Sequence, residues 1–194
     1  MNKTRLEAFS DGVIAIIITI MVLEMKAPDG TTWELTKPLI PKFLSYILSF
    51  LFIAIYWVNH HHLLHTVSKV TPGIMWANIN LLFWLSLTPV ATAWMGETHF
   101  EKTTVTVYAF LALFCGIAYN ILQKAIVSGN KKHKLVQESV RPMGYKEVSS
   151  ILLYALAVPV AHYINPAISG VMFFIVSILW LIPDKKIEKA FNED

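Results

Sequence analysis

The chain has 194 residues, of which 55% are hydrophobic and only 15% charged, with a mean hydropathy of +0.54. A water-facing surface on a domain of this size takes nearer a quarter charged residues, so a soluble globular domain is excluded as the reading. One cysteine excludes a disulfide framework and a thiolate metal site, and a net charge of +3 matters less than where the charges fall.

A hydrocarbon layer about 30 Å thick needs roughly 20 mostly apolar helical residues to cross it. Six segments qualify, at 6–26, 42–66, 74–95, 104–127, 147–164 and 166–183. The first follows Lys3 and Arg5 like a secretory signal, but Glu7 and Asp11 lie within it and no small-x-small cleavage site follows Leu23. It is expected to be a retained span. The fifth and sixth meet at Asn165-Pro166, a turn signal. Alternating ten-residue segments of a β-barrel are absent, and no linker or low-complexity tract divides the chain. The expected fold is all-α, one six-helix transmembrane domain over 1–194.

Basic residues set the orientation. One side of this layout collects Lys3, Arg5, Lys69, Lys124, Lys131, Lys132, Lys134, Arg141, Lys146, Lys185, Lys186 and Lys189. The other side collects Lys26, Lys37, Lys42 and Lys102. The richer side, with both termini, is expected to be cytoplasmic, its basic residues attracted to anionic lipid. Trp33, Trp94 and Tyr163 near the outer ends and Trp76 near an inner end fit interfacial belts. The basic run at 131–134 needs no nucleic-acid partner, because no soluble binding module accompanies it.

At 100° per residue, Arg5, Phe9, Gly12, Ile16, Thr19, Ile20 and Leu23 share about 100° of arc on the first span. Ser10 and Asp11 point elsewhere. An aspartate inside a span costs up to about 3 kcal/mol unless it finds partners. Candidates at its depth are His60, His61 and His62 on the second span, and Asn78 and Asn80 on the third. Ser10 and Asp11 are expected to hydrogen-bond into that group. His61 and His65, one turn apart, invite a metal reading, but no third ligand or H-E-x-x-H accompanies them, so no metal site is expected. Neither a nucleophile elbow nor an intramembrane pair of aspartates is present, and an enzyme is not expected.

Arg5-Leu-Glu-Ala-Phe9-Ser10-Asp11, followed by Gly12-Val13 and an isoleucine-rich run, resembles the R-x-x-x-F-S-D signature of the transmembrane protein 175 family. That family comprises endolysosomal potassium channels of animals and single-repeat prokaryotic relatives. The segment Tyr56-Trp57-Val58-Asn59-His60-His61 is similar too. The resemblance implies a potassium-permeable, moderately selective cation channel in which four first helices surround a pore. With one F-S-D, this chain would assemble as a homotetramer in the cell membrane of a prokaryote. The family's constriction positions, carried over by spacing from Asp11, are Ile16, Thr19 and Leu23, with Ile20 adjacent. They coincide with the arc read from the helical wheel. Arg5, Phe9, Ser10, Asp11, His60, His61, Asn78 and Asn80 would form a structural network instead. No cofactor is implied; potassium is the permeating ion. The competing reading is a proton-coupled transporter using Asp11 and the second-helix histidines, against which stand the missing internal repeat and the apolar deep stripe.

Overall fold

The computed structural model describes residues 2–133, 136–137, 140 and 142–181. Lys134, Arg141, Lys185, Lys186 and Lys189 of the basic side, and positions 182–183 of the sixth expected span, lie outside the described residues.

The described residues are helical almost throughout. The first helix, α1, runs Lys3–Leu23, capped by the Asn2 side chain accepting from the Thr4 amide. A 3-10 turn at Trp33–Thr36 leads into α2, Leu39–His65. The expected third span is two helices, α3 (Pro72–Ser86) and α4 (Thr88–Glu97), joined at Leu87. Pro89 has no amide hydrogen and its ring crowds the carbonyl one turn back, which is why the helix breaks there. The long α5, Lys102–Gly129, sits against α3, α4 and the helix that follows it at Tyr145–Pro159, and carries more buried residues than any other described helix. Tyr145–Pro159 forms α6, which widens into a π-turn at Val160–Ile164 just after its proline. Asn165 then leaves the helix, and its side chain accepts from the Ala167 amide to start α7, Pro166–Leu181.

Among the described residues, five helical stretches are long and apolar enough to cross a bilayer, with α3 and α4 counting as one, and α7 is a shorter apolar helix. Alternating direction brings Lys3 against the His65 carbonyl at one end of the bundle (2.6 Å) and Lys42 against Glu97 at the other (3.2 Å). Apolar side chains fill the core as in a water-soluble protein, but here they also cover the outside, and polar side chains are buried among them. Ser10, Ser49, His60, Asn78, Thr88 and Ser169 are at most 1% exposed, whereas Leu23, Ile40, Val90 and Val171 are more than half exposed. That pattern suits a solvent of lipid, where each polar group must find its partner inside the protein.

Close approach of α4 to α2 depends on Gly96. A Cβ there would lie 2.5 Å from Ser45 Oγ and 2.8 Å from the Lys42 Cα. The Gly96→Ala variant must therefore push the two helix ends apart, and a loss of about 1–3 kcal/mol is expected for such overpacking. Thermal melting in detergent checks it; an unchanged melt would show that the ends separate freely.

Candidate functional site

The periodicity of α1 separates two faces. Leu6, Ser10, Ile14, Ile17 and Met21, spaced by three and four residues, are buried against α2, α3 and α4. Facing away from the bundle, Phe9 is 53% exposed, Ile16 58%, Ile20 40% and Leu23 74%, and Arg5, Gly12 and Thr19 are exposed with them. The stripe is therefore turned away from the other described helices of its own chain. The Thr19 hydroxyl donates to the Ile16 carbonyl at 2.8 Å, a bond a helical threonine makes within its own turn. Its oxygen lone pairs stay available on the exposed face.

Behind the stripe, toward the N-terminal end of α1, three helices are tied together through Asn78. Ser10 donates to the Leu6 carbonyl (2.8 Å), and the Asn78 amide donates to Ser10 Oγ (2.9 Å). That leaves Asn78 Oδ1 as an acceptor, 2.7 Å from His60 Nε2. The directions are mutually consistent only with the hydrogen of His60 on Nε2, an assignment fixed by the network. His60 Nδ1 is then a buried acceptor with no partner among the described residues.

The other motif residues fall elsewhere. Asp11, half buried, accepts from Trp57 Nε1 at 2.9 Å and, among the described residues, bonds neither a histidine nor an asparagine, contrary to expectation. At the level of Asp11, α2 presents Trp57; His61 lies one turn nearer the end, with its ring 6.3 Å from the indole. Asn80 is two residues beyond Asn78, about 200° round the helix, and is turned away from Ser10. Arg5 and Phe9, expected in the network, stand on the exposed stripe, since they share its helical phase. Trp57 is the partner that sequence reasoning missed. Its place in Tyr56-Trp57-Val58-Asn59-His60-His61 was the available signal, but neither helix phase nor composition shows which α2 side chain lies level with Asp11.

Among the described residues, no three His, Cys, Asp or Glu side chains gather as a metal-binding group. A cavity of about 30 Å³ between α2, α5, α6 and α7, lined by Tyr56, Tyr119, Glu147 and Trp180 among others, has room for about two waters.

The model of the family described as "Endosomal/lysosomal potassium channel TMEM175" matches residues 5–89, the stretch from the arginine of the motif to the break between α3 and α4. Over all 194 residues the chain is 47% identical to "Potassium channel HX13_20290" of Chryseobacterium sp. (strain P1-3), with the whole of both chains covered. The chain belongs to the TMEM175 family. Its fold is that of the crystal structure titled a lysosomal potassium-selective channel TMEM175 homolog from Chamaesiphon minutus, with a TM-score of 0.75, 27% identity, and 92% of this chain and 96% of that one covered. The "Endosomal/lysosomal proton channel TMEM175" of Gallus gallus is 31% identical over 133 residues, 60% of this chain and 26% of that longer protein. As a TMEM175 protein with these apolar helices, the chain is a multi-pass membrane protein.

Proposed function

We propose that this chain is the subunit of a homotetrameric potassium channel, conducting along an axis lined by four copies of α1. One observation carries the reading: the stripe Ile16, Thr19, Ile20 and Leu23, apolar but for the Thr19 hydroxyl, is exposed and turned away from the other described helices of its protomer. The names of the bacterial relative and of the Chamaesiphon structure support potassium as the ion. The excess of basic residues at the α1 start, the α2–α3 connection and the α5–α6 connection supports cytoplasmic termini. The bacterial relative supports the cell membrane of a prokaryote.

A ring of four Ile16 side chains offers an ion no ligand. When tight, such a neck dewets and blocks; opened slightly, it passes an ion only after part of its water is removed. Potassium gives up water more readily than sodium, so the barrier favours potassium. Four Thr19 hydroxyl oxygens return part of the lost shell. Selectivity arises from a dehydration penalty with partial compensation, and is moderate in consequence.

Reconstitution into liposomes with opposed potassium and sodium gradients tests the proposal. The reversal potential should move toward the potassium equilibrium value without reaching it. Absence of conductance, or a flux that saturates with substrate and requires a proton gradient, would overturn it; the latter would favour the transporter reading. The Thr19→Val variant keeps the shape and loses the oxygen. Its potassium-to-sodium permeability ratio should fall roughly threefold or more, since a coordinating layer is removed from the narrowest stretch. An unchanged ratio would mean that Thr19 does not meet the ion.

A further inference from the structure

We propose that Gly12 forms a wide, water-holding chamber on the conduction axis, between the Phe9 and Ile16 levels, where potassium recovers water given up at Ile16. This rests on the pore-lining reading of α1 above. A glycine inside a helix costs about 0.5–1 kcal/mol relative to alanine, so it calls for a local reason. Within the protomer there is none. A Cβ added at Gly12 would meet nothing within 4 Å. Its φ is not in the left-handed region, which among the described glycines only Gly30 occupies. The residue is also exposed.

The stripe itself supplies the reason. Arg5, Phe9, Gly12, Ile16, Thr19 and Leu23 are separated alternately by four and three residues, the seam spacing of helices that surround a common axis. Phe9, Ile16 and Leu23 recur every seven residues and place large apolar groups on the axis about 10.5 Å apart. Between them, Gly12 and Thr19 occupy the alternate layers, one with no side chain and one with a hydroxyl. The Gly12 layer is accordingly the widest part of the lining above Arg5. It also exposes helix backbone to water, as glycine does. Glycine can instead let two helix backbones touch. Here Phe9 and Ile16, large and more than half exposed one turn to either side on the same face, hold neighbouring copies apart.

The experiment uses the full chain in liposomes with Gly12→Ala, Gly12→Leu, Gly12→Cys and Ile16→Asn, recording single-channel current, subunit number and thiol modification. Cys115 is 0% exposed and gives no background reaction. The alanine variant should assemble as the parent does. The leucine variant should assemble, lose about tenfold or more in potassium conductance by closing the chamber, and keep its permeability ratio, because dehydration still occurs at Ile16. A cationic methanethiosulfonate added from the inner side should modify the cysteine variant, more slowly as potassium is raised. Full conductance with leucine, an inert cysteine, or an alanine variant that fails to assemble would each overturn the chamber. If Ile16→Asn still changes the current in that case, the pore reading stands; if no variant on the stripe changes it, both fail.

Discussion

Replacing Ile16 with asparagine should raise potassium and sodium currents together and lower the permeability ratio toward unity. In the proposed tetramer the polar amide would wet a neck that four aliphatic side chains keep dry, and it would offer oxygen ligands that sodium uses as readily as potassium. Each Ile16 is 58% exposed and packs into no core of its own chain, so the substitution leaves the protomer intact. This separates the prediction from an ordinary core mutation, where a buried polar group would unfold the protein. Leu23→Asn, 10.5 Å or so further out along the helix, should act in the same direction and more weakly if Ile16 is the narrower ring. Planar-bilayer recordings in mixed potassium and sodium solutions measure both quantities. Unchanged currents from both variants would remove α1 from the conduction path.

The second large effect lies behind the pore lining. Asn78 is 0% exposed and joins Ser10 on α1 to His60 on α2, so Asn78→Leu removes one hydrogen bond from each of two buried groups, and Ser10 keeps its bond to the Leu6 carbonyl. A buried group left unsatisfied costs about 1–3 kcal/mol in water-soluble proteins, and somewhat less between membrane helices, where each bond averages about 0.6 kcal/mol. A loss on the order of 2 kcal/mol follows, with the His60 ring bearing most of it, since its Nδ1 already has no partner among the described residues. Asp11→Ala removes one bond at a partly exposed site and should cost less than Asn78→Leu. In both variants, molecules that still assemble should keep their permeability ratio, because neither side chain belongs to the stripe. Thermal melting of the detergent-solubilised protein, followed by recordings from what survives, tests both statements. An assembled Asp11→Ala channel with altered selectivity would contradict the division of α1 into a lining face and an anchoring face.

How far the sequence could be read depended on whether one helix or two were involved. The two faces of α1 follow from its own period, so Ile16, Thr19, Ile20 and Leu23 were separable from Ser10 before any fold was known. The break at Leu87 was also signalled, by Pro89, although the apolar run continued through it. Pairings between helices were not legible. Position along the spans puts His60, His61 and His62 near the depth of Asp11, but only the rotation and offset of α2 against α1 decide that the Trp57 indole reaches the carboxylate while His60 turns to Asn78. Asn80 shows the same limit: it is as polar as Asn78 and nearly as deep, but a rotation of about 200° keeps it out of the network. The Gly96 contact with Ser45 and Lys42 likewise belongs to a crossing of two helices, which no single-helix period encodes.

Four α1 helices round one axis would set characteristic spin-label distances between copies of the chain. A label on Glu24→Cys, one residue past Leu23 and exposed, would report only itself, because Cys115 is buried. In lipid bilayers the account predicts two distances between copies, in the ratio of about 1.4 that relates the diagonal of a square to its side. A single distance, a ratio of another symmetry, or no coupling between labels would contradict it.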